Sequence, residues 1–191
     1  GKTMKKIYIV TTFTGTLLSC LIRNISKTPY AHVSIALNEY LRPMYSFGRL
    51  NPKTPIFAGF VEENINEGLY AIRTNTMCRV YSLMVTERQY EKLKENIDNV
   101  SINRKQYVYD VKALVYLSVN KPRKKDYKYV CSHFVADMLK RSEINILDKE
   151  PHQVRPNDFY DLCDLELEYE GLLSNYYEKD KVHNIGDVVK I

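Results

Sequence analysis

One cysteine of the chain stands in the sequence setting that a catalytic thiol needs. Cys131 lies in the stretch YVCSHFVA (129–136), at the predicted start of a helix. Backbone N–H groups without helical partners, together with the positive end of the helix dipole, favour a thiolate at such a position. The thiolate is the nucleophile of cysteine hydrolases, so Cys131 is the candidate nucleophile. The alternative is that Cys131 is a small buried residue, as many cysteines are.

The chain has four histidines, and one of them is placed to serve as a base for Cys131. His133 follows the cysteine by two positions, about 200° around a helix, and therefore points away from it. His152 precedes a loop and His183 lies in a charged C-terminal stretch, which favours a solvated position for both. His32 opens a predicted strand on its polar face. An imidazole on a strand beside a helix N-terminus suits a Cys–His pair, so His32 is the candidate base.

Hydrophobic periodicity predicts the elements that must position these two side chains. Strands are predicted at 5–12, 30–37, 44–47, 68–74 and 77–85, and residues 48–55 are predicted to form a loop. Helices are predicted at 16–25, after a capping box at 86–89, at 111–119 and 130–140, with a short helix starting at 155–158. The chain shows no internal repeat and no long linker. It is therefore predicted to form a single α+β domain over residues 4–191, with residues 1–3 as a cloning remnant before Met4.

Composition narrows the class of protein without naming a function. The 191 residues are 45% hydrophobic and 27% charged, which is typical of a globular domain. No apolar run reaches the roughly 18–20 residues that a membrane-spanning helix needs. Nothing at the N-terminus resembles a signal peptide, and the four cysteines lack the spacing of a zinc site or a redox pair. The sequence thus predicts a cytoplasmic protein with reduced thiols, without a metal or other cofactor.

A basic run at 121–128 comes shortly before Cys131 and contains five basic residues and one acidic residue. Such a run could recruit an anionic substrate, for example a lipid headgroup, a peptide carboxylate or a nucleic acid. The alternative, which we favour from sequence, is a solvated loop. The run is short for a nucleic-acid footprint, and no nucleic-acid-binding motif accompanies it.

Four stretches of the chain together resemble the permuted papain-like amidases. They are AHVSIAL (31–37), the hairpin into MYSFGR (44–49), CSHFVADML (131–139) and RPNDF (155–159). These amidases are circularly permuted relatives of the NlpC-type cell-wall peptidases, in a superfamily that also includes lecithin retinol acyltransferase. Permuted members place the histidine before the cysteine, as this chain does.

The resemblance implies an antiparallel sheet packed with helices, in the papain-like order circularly permuted. Cys131 would be the nucleophile, His32 the base, and a polar residue on the following strand would orient the imidazole. Ser46 aligns with that position, where relatives often have a histidine or a carboxylate. A serine can fix one tautomer by a hydrogen bond, but it does not stabilise an imidazolium as a carboxylate does. Three nearby glutamates could supply a charge, although solvated loop positions are favoured for them: Glu39, Glu62 and Glu63.

The activity implied by the resemblance is cleavage of an amide or ester bond through a Cys–His thioester. The chain would be a hydrolase or an acyltransferase, with a peptide, amide or lipid-ester substrate and no cofactor. The alternative is a catalytically weak or inactive binding module on the same scaffold, because Ser46 replaces a stronger orienting group. The substrate and the oligomeric state do not follow from the sequence.

Overall fold

A six-stranded antiparallel sheet carries the fold in the computed structural model, which describes residues 3–15, 24, 30–51 and 54–176. Its strands are β1 (Met4–Phe13), β2 (His32–Ala36), β3 (Met44–Asn51), β4 (Thr54–Glu63), β5 (Met77–Thr86) and β8 (Glu166–Leu172). They lie in the order β4-β3-β2-β1-β5-β8. The first residue of β2 is His32, which pairs with Thr12 near the end of β1. The candidate base thus lies on one of the two central strands.

Helices and a second, small sheet complete the described part of the chain. The helices are α1 (Gly68–Ile72), α2 (Glu87–Ile102), α3 (Val111–Ser118) and α4 (Cys131–Arg141). Short 3₁₀ turns lie at Arg104–Gln106, Pro151–Gln153, Pro156–Phe159 and Leu173–Asn175. β6 (Val108–Tyr109) and β7 (Lys128–Tyr129) pair in parallel. Helix α4 packs against α2 and against strands β2 and β3. Its first residue, Cys131, lies beside Ala31, the residue before His32.

Buried hydrophobic side chains form two separate clusters, one on each face of the large sheet. Ile7 and Ile9 of β1 belong to one cluster, whereas Tyr8 and Val10 belong to the other, because successive side chains of a strand point to opposite faces. The helix-side core contains residues of α2 and α4, including Leu93, Ile97, Cys131, Phe134 and Met138. The opposite core contains residues of α1 and of the C-terminal 3₁₀ turn, including Tyr70 and Leu173.

The structure confirms the α+β class and most of the predicted elements. Strands β1, β2, β3 and β5 and helices α2, α3 and α4 cover the segments in which periodicity predicted them. The predicted capping box is present at the start of α2, where the Thr86 side chain accepts from the Gln89 N–H. A turn of 3₁₀ helix begins at Pro156, within the predicted short helix.

Two predictions about the middle of the chain are wrong. The loop predicted at 48–55 is wrong for its described residues, because β3 continues through Asn51 and β4 starts at Thr54. Residues 68–74 do not form a strand. Gly68 has φ +55°, and the short helix α1 that starts there places Tyr70 in the opposite core. Strands β4 and β8 were not predicted, and the helix predicted at 16–25 lies outside the described residues except for Asn24, which is helical.

None of the helices in the described part of the chain has the length and apolar character required to cross a bilayer.

Candidate active site

Cys131 is the first residue of α4, as the sequence predicts. The residue before it, Val130, provides no side-chain cap, so the first backbone N–H groups of the helix are not bonded by that side chain. The thiol lies 3.9 Å from the carbonyl oxygen of Ala31, and the residue is only 4% exposed. A free thiol at a helix N-terminus is the arrangement that suits a cysteine nucleophile.

His32 lies between Cys131 and a carboxylate that the sequence interpretation treated as a solvated loop residue. Its Nε2 atom is 3.0 Å from Oε1 of Glu63, the last residue of β4. A hydrogen bond with Cys131 is among the interactions that act on the imidazole. Because Nε2 faces Glu63, Nδ1 is the ring nitrogen left for the sulfur. The structure thus brings the predicted Cys–His pair together and adds an acidic third member.

Glu63 is held by further hydrogen bonds from the same region. Its Oε1 accepts from the Ser34 hydroxyl at 2.8 Å, and its Oε2 accepts from the Tyr70 hydroxyl at 3.1 Å. The Tyr70 oxygen lies 3.3 Å from Oγ1 of Thr12. A carboxylate with three donors has a fixed position, so the imidazole that it contacts is fixed as well.

The electrostatics of the pair favour a charged imidazole and a charged carboxylate. Burial opposes the imidazolium, but the charge of Glu63 and the hydrogen bonds that the imidazolium donates to Glu63 and toward Cys131 outweigh this effect. They hold the pKa of His32 well above its usual value of 6.5. Burial also opposes the Glu63 carboxylate, yet His32 and the hydrogen bonds from Ser34 and Tyr70 lower the pKa of Glu63. Since burial raises the pKa of Tyr70 well above 10.0, its hydroxyl remains a donor.

Ser46 does not occupy the position that the resemblance assigns to it. It is completely buried in β3, and its hydroxyl donates to the carbonyl oxygen of Val33 at 2.7 Å. Ser46 therefore stabilises the pairing of β2 with β3, and Glu63 bonds the imidazole in its place. The prediction failed because β4 was not recognised, so Glu63 had no strand to bring it to His32.

The other two glutamates named from the sequence lie away from the imidazole. Glu62 faces the opposite way from its neighbour and pairs with Arg104 at 3.0 Å. Glu39 is exposed in the turn between β2 and β3, where its carbonyl oxygen accepts from Tyr176.

The remaining histidines of the described chain do not reach the thiol. His133 is buried against the ring of Tyr129, with centroids 4.5 Å apart, so it points away from Cys131 as predicted. Burial lowers the pKa of His133 to about 4, which keeps it neutral. His152 is half-buried beside His133, with the two ring centroids 6.3 Å apart. His183 is outside the described residues.

The other cysteines of the described chain differ sharply from Cys131 in their surroundings. Cys78 is buried in the opposite core, and burial raises its pKa to about 12. Cys163 is exposed beside Asp164. Cys20 lies outside the described residues. All three described cysteines are free thiols, while the reducing compartment expected from them stays a prediction.

Two further residues shape the surroundings of the pair. A Cβ atom on Gly48 of β3 would lie 3.4 Å from Cε1 of His32, in contact with the ring, so a larger side chain there would reach into it. Tyr109 of β6 packs against the helix-side core, and burial together with the charge of Cys131 raises the pKa of its hydroxyl.

The described residues contain no group of three or more His, Cys, Asp or Glu side chains arranged to hold a metal ion.

No model of a known protein family matches the chain. A search of curated proteins gives no match either. The functional interpretation therefore depends on the geometry of the site and on the sequence resemblance.

Proposed function

We propose that this chain is a cysteine hydrolase or acyltransferase that cleaves an amide or ester bond through a thioester on Cys131. The observation that carries the proposal is the hydrogen-bonded series Cys131–His32–Glu63, with the sulfur at the first residue of a helix. Nucleophile, base and orienting carboxylate are the three roles that thiol-based acyl transfer requires. The order of these residues along the chain also supports a circularly permuted papain-like arrangement.

In the first half of the reaction, the proton of Cys131 already lies on His32, in keeping with the raised pKa of the imidazole, and the sulfur attacks the carbonyl carbon of the substrate. Glu63 stabilises this imidazolium. The oxygen of the tetrahedral intermediate would lie near the first backbone N–H groups of α4, which suit a developing negative charge. When the intermediate collapses, the imidazolium returns its proton to the leaving amine or alcohol, and the acyl group remains on sulfur.

In the second half, an acceptor releases the acyl group. His32 removes a proton from water, or from an acceptor alcohol or amine, as its oxygen or nitrogen attacks the thioester. The C–S bond then breaks and the sulfur recovers a proton from the imidazolium. Water gives a carboxylic acid and the other acceptors give a new ester or amide, so hydrolase and acyltransferase differ only in this step.

A catalytically inactive binding module is the second candidate, and the argument for it is a serine in the position that orients the imidazole. Glu63 forms the hydrogen bond with the imidazole instead, and Ser46 donates to the backbone carbonyl of Val33. The geometry therefore favours the enzyme over the binding module.

The acyl-enzyme can be tested directly with a small activated ester such as p-nitrophenyl acetate. In a Cys20→Ser/Cys163→Ser background, intact-mass measurement should show one added acetyl group, and peptide mapping should place it on Cys131. His32→Ala should slow acetylation about 10²–10⁴-fold, the usual contribution of a positioned base. Cys78 remains in every variant as an internal control thiol.

The proposal fails if Cys131 is acetylated no faster than Cys78, or if His32→Ala leaves the acetylation rate unchanged. Circular dichroism of each variant separates loss of the pair from loss of the fold.

A further inference from the structure

Residues 110–128, here termed the excursion, leave the body of the protein and return to it beside the candidate site. Strands β6 and β7 pair in parallel at its two ends, with Tyr109 opposite Tyr129. The N–H of Asp110 donates to the carbonyl oxygen of Tyr129 at 2.9 Å. Cys131 follows Tyr129 by two residues, so both ends of the excursion are fixed close to the nucleophile.

The excursion exposes apolar side chains on helix α3. Val111 and Val115 are 62% and 57% exposed, and they lie one turn apart on the same face of the helix. Val119 continues that face beyond the last turn and is 56% exposed. Tyr127, also more than half exposed, lies on the returning segment. An amphipathic helix ordinarily turns its apolar side chains toward the core, whereas these three valines, here termed the valine face, are exposed to solvent.

Cationic side chains of the excursion accompany the valine face. Arg123 lies over the ring of Tyr116 at 4.7 Å and donates to its hydroxyl at 2.7 Å. The lysines of the excursion enter none of the ion pairs found among the described residues: Lys112, Lys121, Lys124, Lys125 and Lys128. Lysines on other elements, by contrast, do form ion pairs with carboxylates, for example Lys92 and Lys140.

The acidic residues of the excursion do little to offset this charge. The carboxylate of Asp110 accepts from the N–H of Ala113 and caps α3. Asp126 is exposed and is the only other acid in the excursion. The excursion therefore carries an excess of positive charge toward solvent.

Hydrogen bonds from the body of the protein hold the excursion in place. Arg155 donates to the carbonyl oxygen of Leu117 and, at 2.6 Å, to Oδ1 of Asn120, at the end of α3. Tyr127 packs edge-on against Tyr107 with ring centroids 5.4 Å apart. The valine face and the lysines are thus presented together on a supported element.

We propose that the valine face and the lysines of the excursion dock on the surface of an anionic phospholipid bilayer. Aliphatic side chains on one short helix can enter the boundary between headgroups and acyl chains, while neighbouring lysines pair with anionic headgroups. A nucleic acid would use the lysines but would leave the valines in water, so the combination favours a bilayer. Because the excursion starts and ends beside Cys131, docking brings the candidate site close to the membrane surface. Binding of the excursion to a membrane does not require the reaction of Cys131.

The test is cosedimentation with phosphatidylcholine vesicles, with and without phosphatidylserine, using the Cys131→Ser chain so that chemistry plays no part. Binding should need phosphatidylserine and weaken with added salt. Lys124→Gln/Lys125→Gln should weaken it about 25-fold, since each lysine near an anionic surface contributes about fivefold. Val111→Gln/Val115→Gln should weaken it about tenfold or more, while glutamine preserves helix propensity.

Matched controls come from elements outside the excursion. Ile72→Gln removes an equally exposed aliphatic side chain on α1, which packs with the opposite core. Lys92→Gln/Lys94→Gln removes two positive charges from α2. Neither variant should change vesicle binding by more than about twofold, within the ordinary range of surface substitutions.

Three results would overturn the proposal. The first is absence of binding to phosphatidylserine vesicles. The second is weakened binding in the lysine variant together with unchanged binding in the valine variant, which would mean electrostatic adsorption only. The third is tighter binding to single-stranded RNA than to vesicles with the valine variant unaffected, which would assign the surface to nucleic acid. Because Cys131→Ser is used throughout, none of these results depends on acyl transfer.

Discussion

Glu63 determines how much charge the imidazole of His32 can carry. A serine hydroxyl in the orienting position would fix the ring, but only a carboxylate offsets the positive charge that follows proton transfer. Both oxygens of Glu63 are in use, one toward His32 and Ser34 and the other toward Tyr70. The carboxylate is therefore fixed in position before any substrate arrives.

Replacing Glu63 by glutamine should lower the pKa of His32. The amide retains a hydrogen bond to the ring, but it removes the negative charge that, against the effect of burial, keeps the imidazole protonated. Proton NMR of the His32 ring as a function of pH measures the change directly. Asp98→Asn, which removes an exposed carboxylate on α2, serves as the control and should leave the titration unchanged. An unaltered His32 titration in Glu63→Gln would contradict the assigned charge pairing.

Two serines should separate a structural role from a positioning role. Ser46→Ala removes a buried bond to the carbonyl of Val33, so the free energy of unfolding should fall by about 1–3 kcal/mol while Cys131 alkylation is retained. Ser34→Ala removes a donor to Glu63 and should change the pH dependence of alkylation. Urea unfolding and iodoacetamide kinetics in the Cys20→Ser/Cys163→Ser background measure both effects. The reverse assignment of the two phenotypes would show that Ser46 acts on the imidazole after all.

At the level of elements, strand β3 affects the site through a missing side chain. The space above Gly48 is filled by the His32 ring, which a Cβ atom would approach at 3.4 Å. Gly48→Ala should therefore be tolerated with a small loss of reactivity. Gly48→Val, whose methyl groups extend into the ring, should slow Cys131 alkylation about tenfold or more. A valine variant that keeps the native rate at native stability would show that the ring has more room than this contact allows.

The elements that could be predicted are those whose pattern is local. Periodicity was enough for β1, β2 and α4, because buried faces repeat along each segment. Strand β4 was missed because glycine and proline between Gly48 and Gly59 indicate a loop, whereas these two glycines pair across the hairpin of β3 and β4. The apolar run at 56–61 was the available signal.

The error at β4 explains the error at the site. Cys131 and His32 could be predicted because a helix start and a strand start are visible in sequence. Glu63 and Tyr70 reach His32 through a hairpin and through helix α1, both of which were interpreted incorrectly. A contact between residues more than thirty positions apart depends on strand register, which residue types alone do not fix.

At the scale of the whole molecule, the site joins the two hydrophobic cores. Cys131 belongs to the helix-side core and Tyr70 to the opposite core. His32, the first residue of β2, contacts the helix-side core directly and the opposite core through Glu63. The geometry of the series therefore depends on packing on both faces of the sheet.

The charged pair makes stability depend on pH in a defined direction. The pKa of His32 is raised in the folded state, so its stabilisation is complete below about 6.5 and is lost as pH rises through the folded-state pKa. The pKa of Glu63 is lowered, so its stabilisation is present above about 4.5 and is lost as pH falls through the folded-state pKa. The coupling energy of the two residues should be largest between these limits.

A double-mutant cycle of His32→Asn and Glu63→Gln, followed by urea unfolding from pH 4 to pH 10, measures that coupling. The coupling should peak near pH 5–6 and decline at both ends of the range. The cycle Lys92→Gln with Glu143→Gln, an exposed pair, provides the comparison and should stay near or below about 1 kcal/mol. A His32–Glu63 coupling that rises steadily toward pH 10 would contradict the signs given above.

Because the imidazole links both faces of the sheet, the reactivity of one sulfur reports on the integrity of the entire sheet. Any partial opening that separates α4 from β2, or α1 from β4, breaks the series before the chain unfolds globally. Cys78, sealed in the opposite core, becomes reactive only when that core opens. The rate of Cys131 modification should therefore fall when the site is disrupted, whereas the rate of Cys78 modification should rise when the opposite core opens. Following both in the same sample would order the steps by which this protein comes apart.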